Sequence, residues 1–261
     1  MDENTKLSIL MPVLNEGINL KIMLKILRAT IEIPHEVVIV YDSLDDDSIP
    51  VIESMQKNSY PNLRGIHNQR GRGVANAIKS GVDAARGEYI LVIAADDIGP
   101  VLAVDDMVSL MGEGCDLISA TRYAHGGRLL GGYFISRFLS RIANRLFYFL
   151  SGSALTDSTI GIKMFRRSIF NHIKLEAKPI GWAVAFELAI KSQLAGLRLG
   201  EVPIISINRF YGGKSSFKLG PWVIEYSKWF LWGLWNLYSS GKWRCNVSVK
   251  VPEKIVSKRK K

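Results

Sequence analysis

The sequence predicts an α/β chain built on a mostly parallel, doubly wound sheet. Three observations predict it. Short β-branched runs alternate with helix-periodic runs from the amino terminus onward, joined by short connections. Two of these runs, residues 36–41 and 89–93, stop at carboxylates: Asp42 with Asp45, Asp46 and Asp47 beyond it, and Asp96 with Asp97. A Gly-Arg loop, Arg70-Gly71-Arg72-Gly73, opens the helix that leads to the second of them. Ligands of open α/β sheets sit beyond the carboxyl ends of the strands, so acid at two such ends singles out one edge of the sheet. An Asp-Asp pair also suits a solvated turn, and the neighbouring segments have to separate the two readings.

Taken in order, residues 6–11 read as a first strand that Pro12 stops. Leu14-Asn15-Glu16-Gly17 is a turn, and residues 19–31 place Leu20, Met23, Leu24 and Leu27 on one helical face. Residues 36–41 form a second strand, 49–57 a helix, 63–67 a third strand and 74–85 a helix. Residues 89–93, apolar throughout and preceded by Gly87, read as a strand buried on both faces. A helix over 105–111 and a strand over 116–120 follow.

Residues 133–150 are apolar apart from Arg137, Arg141, Arg145 and a few small polar residues, and the arginines recur every four positions as one helical stripe. A buried core helix would need a partner for each arginine. A helix lying in a membrane interface would turn the stripe toward lipid phosphates, and this reading is preferred, with Arg141 directed to the site. Residues 222–238 hold four of the six Trp together with Glu225 and Lys228. They suit an interfacial anchor rather than a span, or a helix packed on the domain or on a dimer partner. Residues 247–251 read as a short strand or as disorder, and 257–261 as a disordered end.

The 261 residues carry a formal net charge of +10, of which residues 242–261 supply eight Lys or Arg against one Glu. Such a basic tail fits an anionic partner, nucleic acid or a lipid surface, and the lipid surface is preferred. Cys115 and Cys245 are too few and too far apart for a disulfide framework, which fits a reducing compartment, and Cys115 reads as buried. The acidic start Met1-Asp2-Glu3-Asn4 does not resemble a signal peptide, and no uninterrupted apolar run reaches the about 20 residues of a membrane span. Arg70–Gly73 is not a Walker loop, since no Gly-Lys-Ser/Thr follows, and it is misplaced for a dinucleotide fingerprint. The four histidines have no metal-ligand spacing and read as structural or surface residues.

In combination these segments resemble glycosyltransferase family 2, in particular its dolichyl-phosphate mannose or glucose synthase-like, polyprenyl-phosphate branch. The residues that carry the resemblance are Ser8-Ile9-Leu10-Met11-Pro12-Val13-Leu14-Asn15-Glu16, Val38-Ile39-Val40-Tyr41-Asp42-Ser43, Arg72-Gly73-Val74-Ala75-Asn76-Ala77 and Gly87 to Asp97. Further along come Ser119-Ala120-Thr121-Arg122-Tyr123, Ser140-Arg141-Ile142-Ala143-Asn144, Asp157-Ser158-Thr159-Ile160-Gly161-Ile162-Lys163, Gly200-Glu201-Val202-Pro203-Ile204, Asn208-Arg209 and Gly213-Lys214-Ser215-Ser216-Phe217. The match is collinear over roughly residues 7–218.

The resemblance implies a GT-A fold over residues 1–218, with a Rossmann-like nucleotide-sugar-binding half (1–121) and an acceptor half (122–218). An aromatic interface helix (219–241) and a basic tail (242–261) follow. It also implies roles by position. Pro12, Leu14 and Glu16 border the nucleotide, and Asp42 meets the base. Arg72, Gly73, Ala95 and Ser215 are donor-binding positions, and Lys163, in an acceptor-side element where relatives often carry Arg, attracts a phosphate as a point charge. Asp96 approaches the diphosphate through Mg²⁺ or Mn²⁺, with Asp97 as a second ligand. Arg122, Arg141 and Arg209 hold the donor diphosphate and an acceptor phosphate. Glu187 is either an ordinary helical Glu or an acceptor-side base. Two positions depart from the family pattern: Ala94 replaces the first acid of Asp-x-Asp, and Ile98 stands where some relatives carry a further ligand. One carboxylate with substrate phosphates can hold Mg²⁺, arginines can carry the load without metal, or catalysis can have been lost.

The implied activity is inverting transfer of a sugar from a GDP- or UDP-sugar to a polyprenyl phosphate, by a chain peripheral on the cytoplasmic membrane face. Nucleic acid is not an expected partner, and a homo-oligomer is left open. A hydroxyl acceptor is the alternative, and Glu187 would then serve as its base.

Overall fold

Alternation of side chains along each strand decides which helical layer covers it. The computed structural model describes residues 5–58, 60–131, 134–207 and 219–252. In chain order these form β1 (Leu7–Val13), α1 (Gly17–Thr30), β2 (His35–Tyr41), α2 (Ser48–Asn58), β3 (Leu63–His67), α3 (Val74–Ala84), β4 (Tyr89–Val92), α4 (Val104–Gly112), β5 (Leu117–Thr121) and β6 (Arg128–Leu130). They continue as α5 (Phe134–Ser151), β7 (Lys163–Arg166), α6 (Ala183–Leu194), β8 (Leu199–Pro203), β9 (Ile205–Ile207), α7 (Leu219–Ser239) and β10 (Val247–Val249).

Eight strands make one sheet in the order β10-β8-β5-β7-β4-β1-β2-β3, and β6 pairs with β9 in a small second sheet. Only β7 runs antiparallel to its neighbours in the large sheet. Ile9, Met11, Val37, Ile39 and Leu91 face the layer of α1, α2 and α4, where Leu20, Met23, Leu24, Leu27, Ile52 and Met107 are buried. Leu10, Val38, Val40, Ile90 and Val92 face the other layer, with Ile78 of α3, Phe147 of α5, Phe186 of α6 and Trp229 of α7. The expected doubly wound, mostly parallel architecture is the one observed.

Pro12 does not stop the first strand: it lies within β1, in register with Val40. The Leu10 carbonyl accepts from Ile93 N–H, so even-numbered residues of β1 turn their backbone groups toward β4. By Pro12 that neighbour has ended at Val92, and the missing N–H costs no ladder bond.

Of the two readings of residues 247–251, the strand is the one observed: β10 adds a parallel edge strand beside β8. The segment before it is also fastened down. Gln193 Nε2 donates to the carbonyls of Gly152 and Lys242, and Arg244 N–H donates to the Gly152 carbonyl. No helix among the described residues is long and apolar enough to cross a membrane.

Candidate active site

Because β4, β1 and β2 are neighbours running the same way, their carboxyl ends open on one edge of the sheet, with about 10 Å from β4 to β2. Asp42 leaves the end of β2 and organises the loop beside it. Its Oδ1 accepts from Asn68 Nδ2 at 2.7 Å and its Oδ2 accepts from Gly73 N–H at 2.8 Å. Asn68 Nδ2 also donates to the Gly71 carbonyl, so Asp42 shapes the Arg70–Gly73 loop from both ends. Each carboxylate oxygen keeps a further lone pair for a ligand donor. Arg72 projects from this loop, exposed.

Two of the other acids after β2, Asp46 and Asp47, are structural. Asp46 accepts from Asn15 N–H and Ser48 N–H, and Asp47 accepts from Gly17 N–H. They brace the turn between β1 and α1, where Asn15 takes a positive φ of 54°. Pro12 is half-buried and Leu14 exposed on this rim, while Glu16 accepts from Asn19 Nδ2 at 2.6 Å.

Asp96 and Asp97 follow β4 and point to different tasks. Ala95 before them is buried. Asp96 is half-buried and receives no hydrogen bond from any described residue. Asp97 is buried and engaged on both oxygens: Ser206 Oγ donates to Oδ2 at 2.5 Å, and Gly99 N–H and Ile207 N–H donate to Oδ1. Burial raises its pKa, with the three donors opposing. Asp97 is therefore corrected from an expected metal ligand to a clamp that ties the end of β4 to β9.

Arg122 stands at the end of β5, on the same edge as Asp42 and Asp96. Its Nε and Nη2 grip Asp157 at 2.7 and 2.9 Å, and Asp157 is fully buried. Burial works against the Arg122 charge, and Asp157 outweighs it. Arg122 then lines a cavity of about 370 Å³ with Tyr123, Arg128, Leu129, Arg137, Phe138 and Arg141. Arg128 comes from β6, and Arg137 and Arg141 come from the α5 stripe.

Below this cavity lies a charged cluster on the sheet face covered by α5–α7. Glu201 of β8 accepts from Thr156 N–H at 2.7 Å and from the Thr156 hydroxyl, which also bonds Thr121. Lys163, expected to attract a phosphate, is fully buried and donates to Ser119 Oγ at 2.8 Å. Burial lowers its pKa to about 8 while Asp157 and Glu201 pull it back. Enclosed in β7, it does not face a phosphate, and that expectation is corrected too.

Glu187 is equally enclosed. It accepts from the N–H groups of Glu176 and Ala177 at 2.6 and 2.8 Å and pairs with Lys191 at 2.7 Å. Glu225 of α7 takes the next N–H, that of Lys178. Two buried carboxylates thus hold three successive backbone donors, and the structural reading of Glu187 replaces the acceptor-side base. Arg209 and Ser215 lie outside the described residues.

Residues 8–174 match the profile described as Glycosyl transferase family 2. The chain belongs to that family. As a family 2 glycosyltransferase it is similar to a dolichol-phosphate mannosyltransferase of Pyrococcus furiosus, with 24% identity over 96% of this chain and 68% of the relative. It is also similar to a dolichyl-phosphate beta-glucosyltransferase of Dictyostelium discoideum (22%, 91% of this chain, 78% of the relative). An undecaprenyl-phosphate 4-deoxy-4-formamido-L-arabinose transferase of Yersinia enterocolitica matches at 26% over 63% of this chain and half of its own length. Among solved structures, glucosyl-3-phosphoglycerate synthase of Mycobacterium tuberculosis, in complex with Mn²⁺, UDP and phosphoglyceric acid, superposes with a TM-score of 0.67. It shares 18% identity and covers 88% of this chain and 78% of that one. This likeness shows the shared GT-A fold.

The described residues of this glycosyltransferase fit a divalent cation through a single carboxylate at the end of β4. Among the described residues no group of three His, Cys, Asp or Glu could cage an ion, and Ala94 contributes no oxygen. Of the two acids that follow β4, Asp96 is the one that accepts from no described residue, which suits Mg²⁺ or Mn²⁺ held jointly with a substrate diphosphate.

Three residues given no role from sequence shape this site: Asp157, Glu201 and His125. Asp157 and Glu201 sat inside quoted motifs, and an acid in the otherwise apolar Leu199-Gly200-Glu201-Val202-Pro203 was the available signal. His125 had none.

Proposed function

We propose that this glycosyltransferase moves a sugar from a nucleoside-diphosphate sugar, GDP- or UDP-linked, to a polyprenyl phosphate, with inversion, while lying on the cytoplasmic face of a membrane. The observation that carries the reading is the cavity where Arg122, Arg128, Arg137 and Arg141 meet Leu129 and Phe138. Guanidinium forks match phosphate oxygens, and the apolar wall suits an isoprenoid chain. The relatives whose names include dolichyl or undecaprenyl phosphate support the same acceptor class.

The cavity wall continues into an apolar surface. Leu139, Ile142, Leu146, Phe149 and Leu150 of α5 and Val223, Ile224, Leu231, Trp235 and Tyr238 of α7 are all exposed. Arg141, Arg145 and Lys228 border it, and Glu225 is buried rather than facing out. A basic rim around apolar and aromatic residues matches an anionic bilayer surface.

Asp42 and the Arg70–Gly73 loop would hold the nucleoside and its phosphates. Asp96 would hold a divalent cation, which supplies positive charge to the departing diphosphate. The acceptor phosphate enters already ionised, so attack at the anomeric carbon needs no general base. The occupied carboxylate of Glu187 favours this acceptor over a hydroxyl, for which a base would be required.

The test is a panel of radiolabelled nucleotide sugars offered to the full chain with polyprenyl phosphate in vesicles, with and without Mg²⁺ or Mn²⁺. Label in a butanol-extractable lipid, dependent on the phosphate of the acceptor, is the expected result. Equal labelling of the corresponding polyprenol would overturn the phosphate-acceptor reading, and no labelled lipid from any donor would overturn the activity.

A further inference from the structure

We propose that Glu201 is a positioning residue for the anion cavity: it aims Arg122 through the Asp157 loop and tethers the turn between β5 and β6 through His125. The proposal rests on reading that cavity as the acceptor-phosphate site. Glu201 is 1% exposed and sits one strand from Arg122's own strand, in register with Ser119.

Its two oxygens serve two segments. Oε1 accepts from Thr156 N–H, from Thr156 Oγ1 at 3.0 Å and from Asp157 N–H at 3.4 Å, which sets the backbone on which the Asp157 carboxylate stands. That carboxylate takes Arg122 Nε and Nη2 side by side and the Arg122 N–H as well. A guanidinium gripped along one edge cannot swing, and its remaining donors point in one direction. Oε2 accepts from Thr156 Oγ1 and faces His125 Nε2 at 3.6 Å.

His125 belongs to the turn between β5 and β6 that carries Gly127 and Arg128 into the cavity wall, and it holds a left-handed φ of 55°. A non-glycine residue is uncommon there, and Glu201 stands against its side chain. One buried carboxylate therefore sets both the guanidinium at the back of the cavity and the turn at its side. The Glu201 carboxylate facing its ring raises the His125 pKa, with burial opposing. The tie is charge-assisted while His125 is protonated. Asp157, Arg122 and Lys163 are the other charged groups around this carboxylate.

The experiment titrates a water-soluble short-chain isoprenyl monophosphate, and separately UDP and GDP, into the full chain as wild type, E201Q and H125Q. The Arg122 Nε–Hε resonance is followed by ¹⁵N NMR in the same samples. E201Q is expected to weaken isoprenyl phosphate binding by about tenfold. It should leave nucleotide affinity unchanged and expose the Arg122 Hε to solvent exchange. H125Q, which removes the imidazole from a partly exposed turn, is expected to weaken binding less. It should also remove the part of the pH dependence that wild type shows above the ordinary imidazole range, beyond the ionisation of the phosphate itself.

Wild-type affinity and an unchanged Arg122 resonance in E201Q would overturn the proposal, as would equal loss of nucleotide and isoprenyl phosphate binding. If E201Q does not fold, an H125Q chain with the wild-type pH profile would overturn it. Failure of the wild type to bind the isoprenyl phosphate would instead sink the acceptor reading, and the Arg122 resonance would still decide the role of Glu201.

Discussion

Gly73 lies against Pro179, so that a Cβ on residue 73 would stand 2.7 Å from the Pro179 Cβ and nearer still to its carbonyl oxygen. This contact joins the loop held by Asp42 to the loop held by Glu187 and Glu225. The Gly73 backbone, at φ 115° and ψ 156°, is also one that side chains rarely permit. Gly73→Ala is expected to lose on the order of 1–3 kcal/mol from backbone strain alone. It should also weaken nucleotide binding, because the Gly73 N–H that meets Asp42 must move. Urea denaturation and calorimetric titration of UDP or GDP check the two effects.

Asp96 and Asp97 should separate cleanly. Asp96→Asn is expected to abolish Mn²⁺ binding, which in the wild type should appear only with a nucleoside diphosphate present, since one carboxylate holds the ion poorly alone. Asp97→Asn should keep that binding while losing about 1–3 kcal/mol of stability, because it disturbs a buried acceptor of three donors. Electron paramagnetic resonance of Mn²⁺ with and without UDP or GDP reads the difference. Equal loss of Mn²⁺ in both variants would return Asp97 to the metal.

Lys163 sets a pH dependence whose sign follows from its burial. Its pKa is lowered to about 8 in the folded chain against 10.5 unfolded, so between those values the unfolded chain binds more protons. Stability from this group therefore rises as pH climbs from about 8 toward 10.5, and the cost of the buried charge is fully present below about 8. Chemical denaturation across this window should show the upward slope in wild type and lose it in Lys163→Met.

The apolar faces of α5 and α7 can be tested away from the site. Leu146 and Trp235 are 48% and 73% exposed, and neither lines the cavity. The double variant Leu146→Glu, Trp235→Glu is expected to lower cosedimentation with anionic vesicles by about tenfold or more, with nucleotide affinity unchanged. Added salt should weaken wild-type binding, because the arginine stripe contributes through screened charge. Binding that resists both changes would point to a protein partner or a second copy of the chain on this face.

Much of the fold was legible before any coordinates, because it rests on local periodicity. The spacing of Leu20, Met23, Leu24 and Leu27 and the apolar run from Tyr89 placed α1 and β4 where they are found. β7 and β8, two strands of the sheet, had no strand reading from sequence, and within the predicted strands Pro12 turned on something no local pattern carries: which neighbour its missing N–H faces.

The site was legible only in part, for the same reason. The sequence by itself determined that acids, a Gly-Arg loop and arginines would gather along one edge of a parallel sheet, since strand direction brings carboxyl ends together. Tertiary structure decided which of those charges remain available to a ligand. Asp97 is taken by Ser206, 109 positions away, Asp157 by Arg122 at 35, and Glu201 by Thr156 at 45. A buried charge must find a partner or a donor, and that partner is set by packing between distant segments rather than by spacing along the chain.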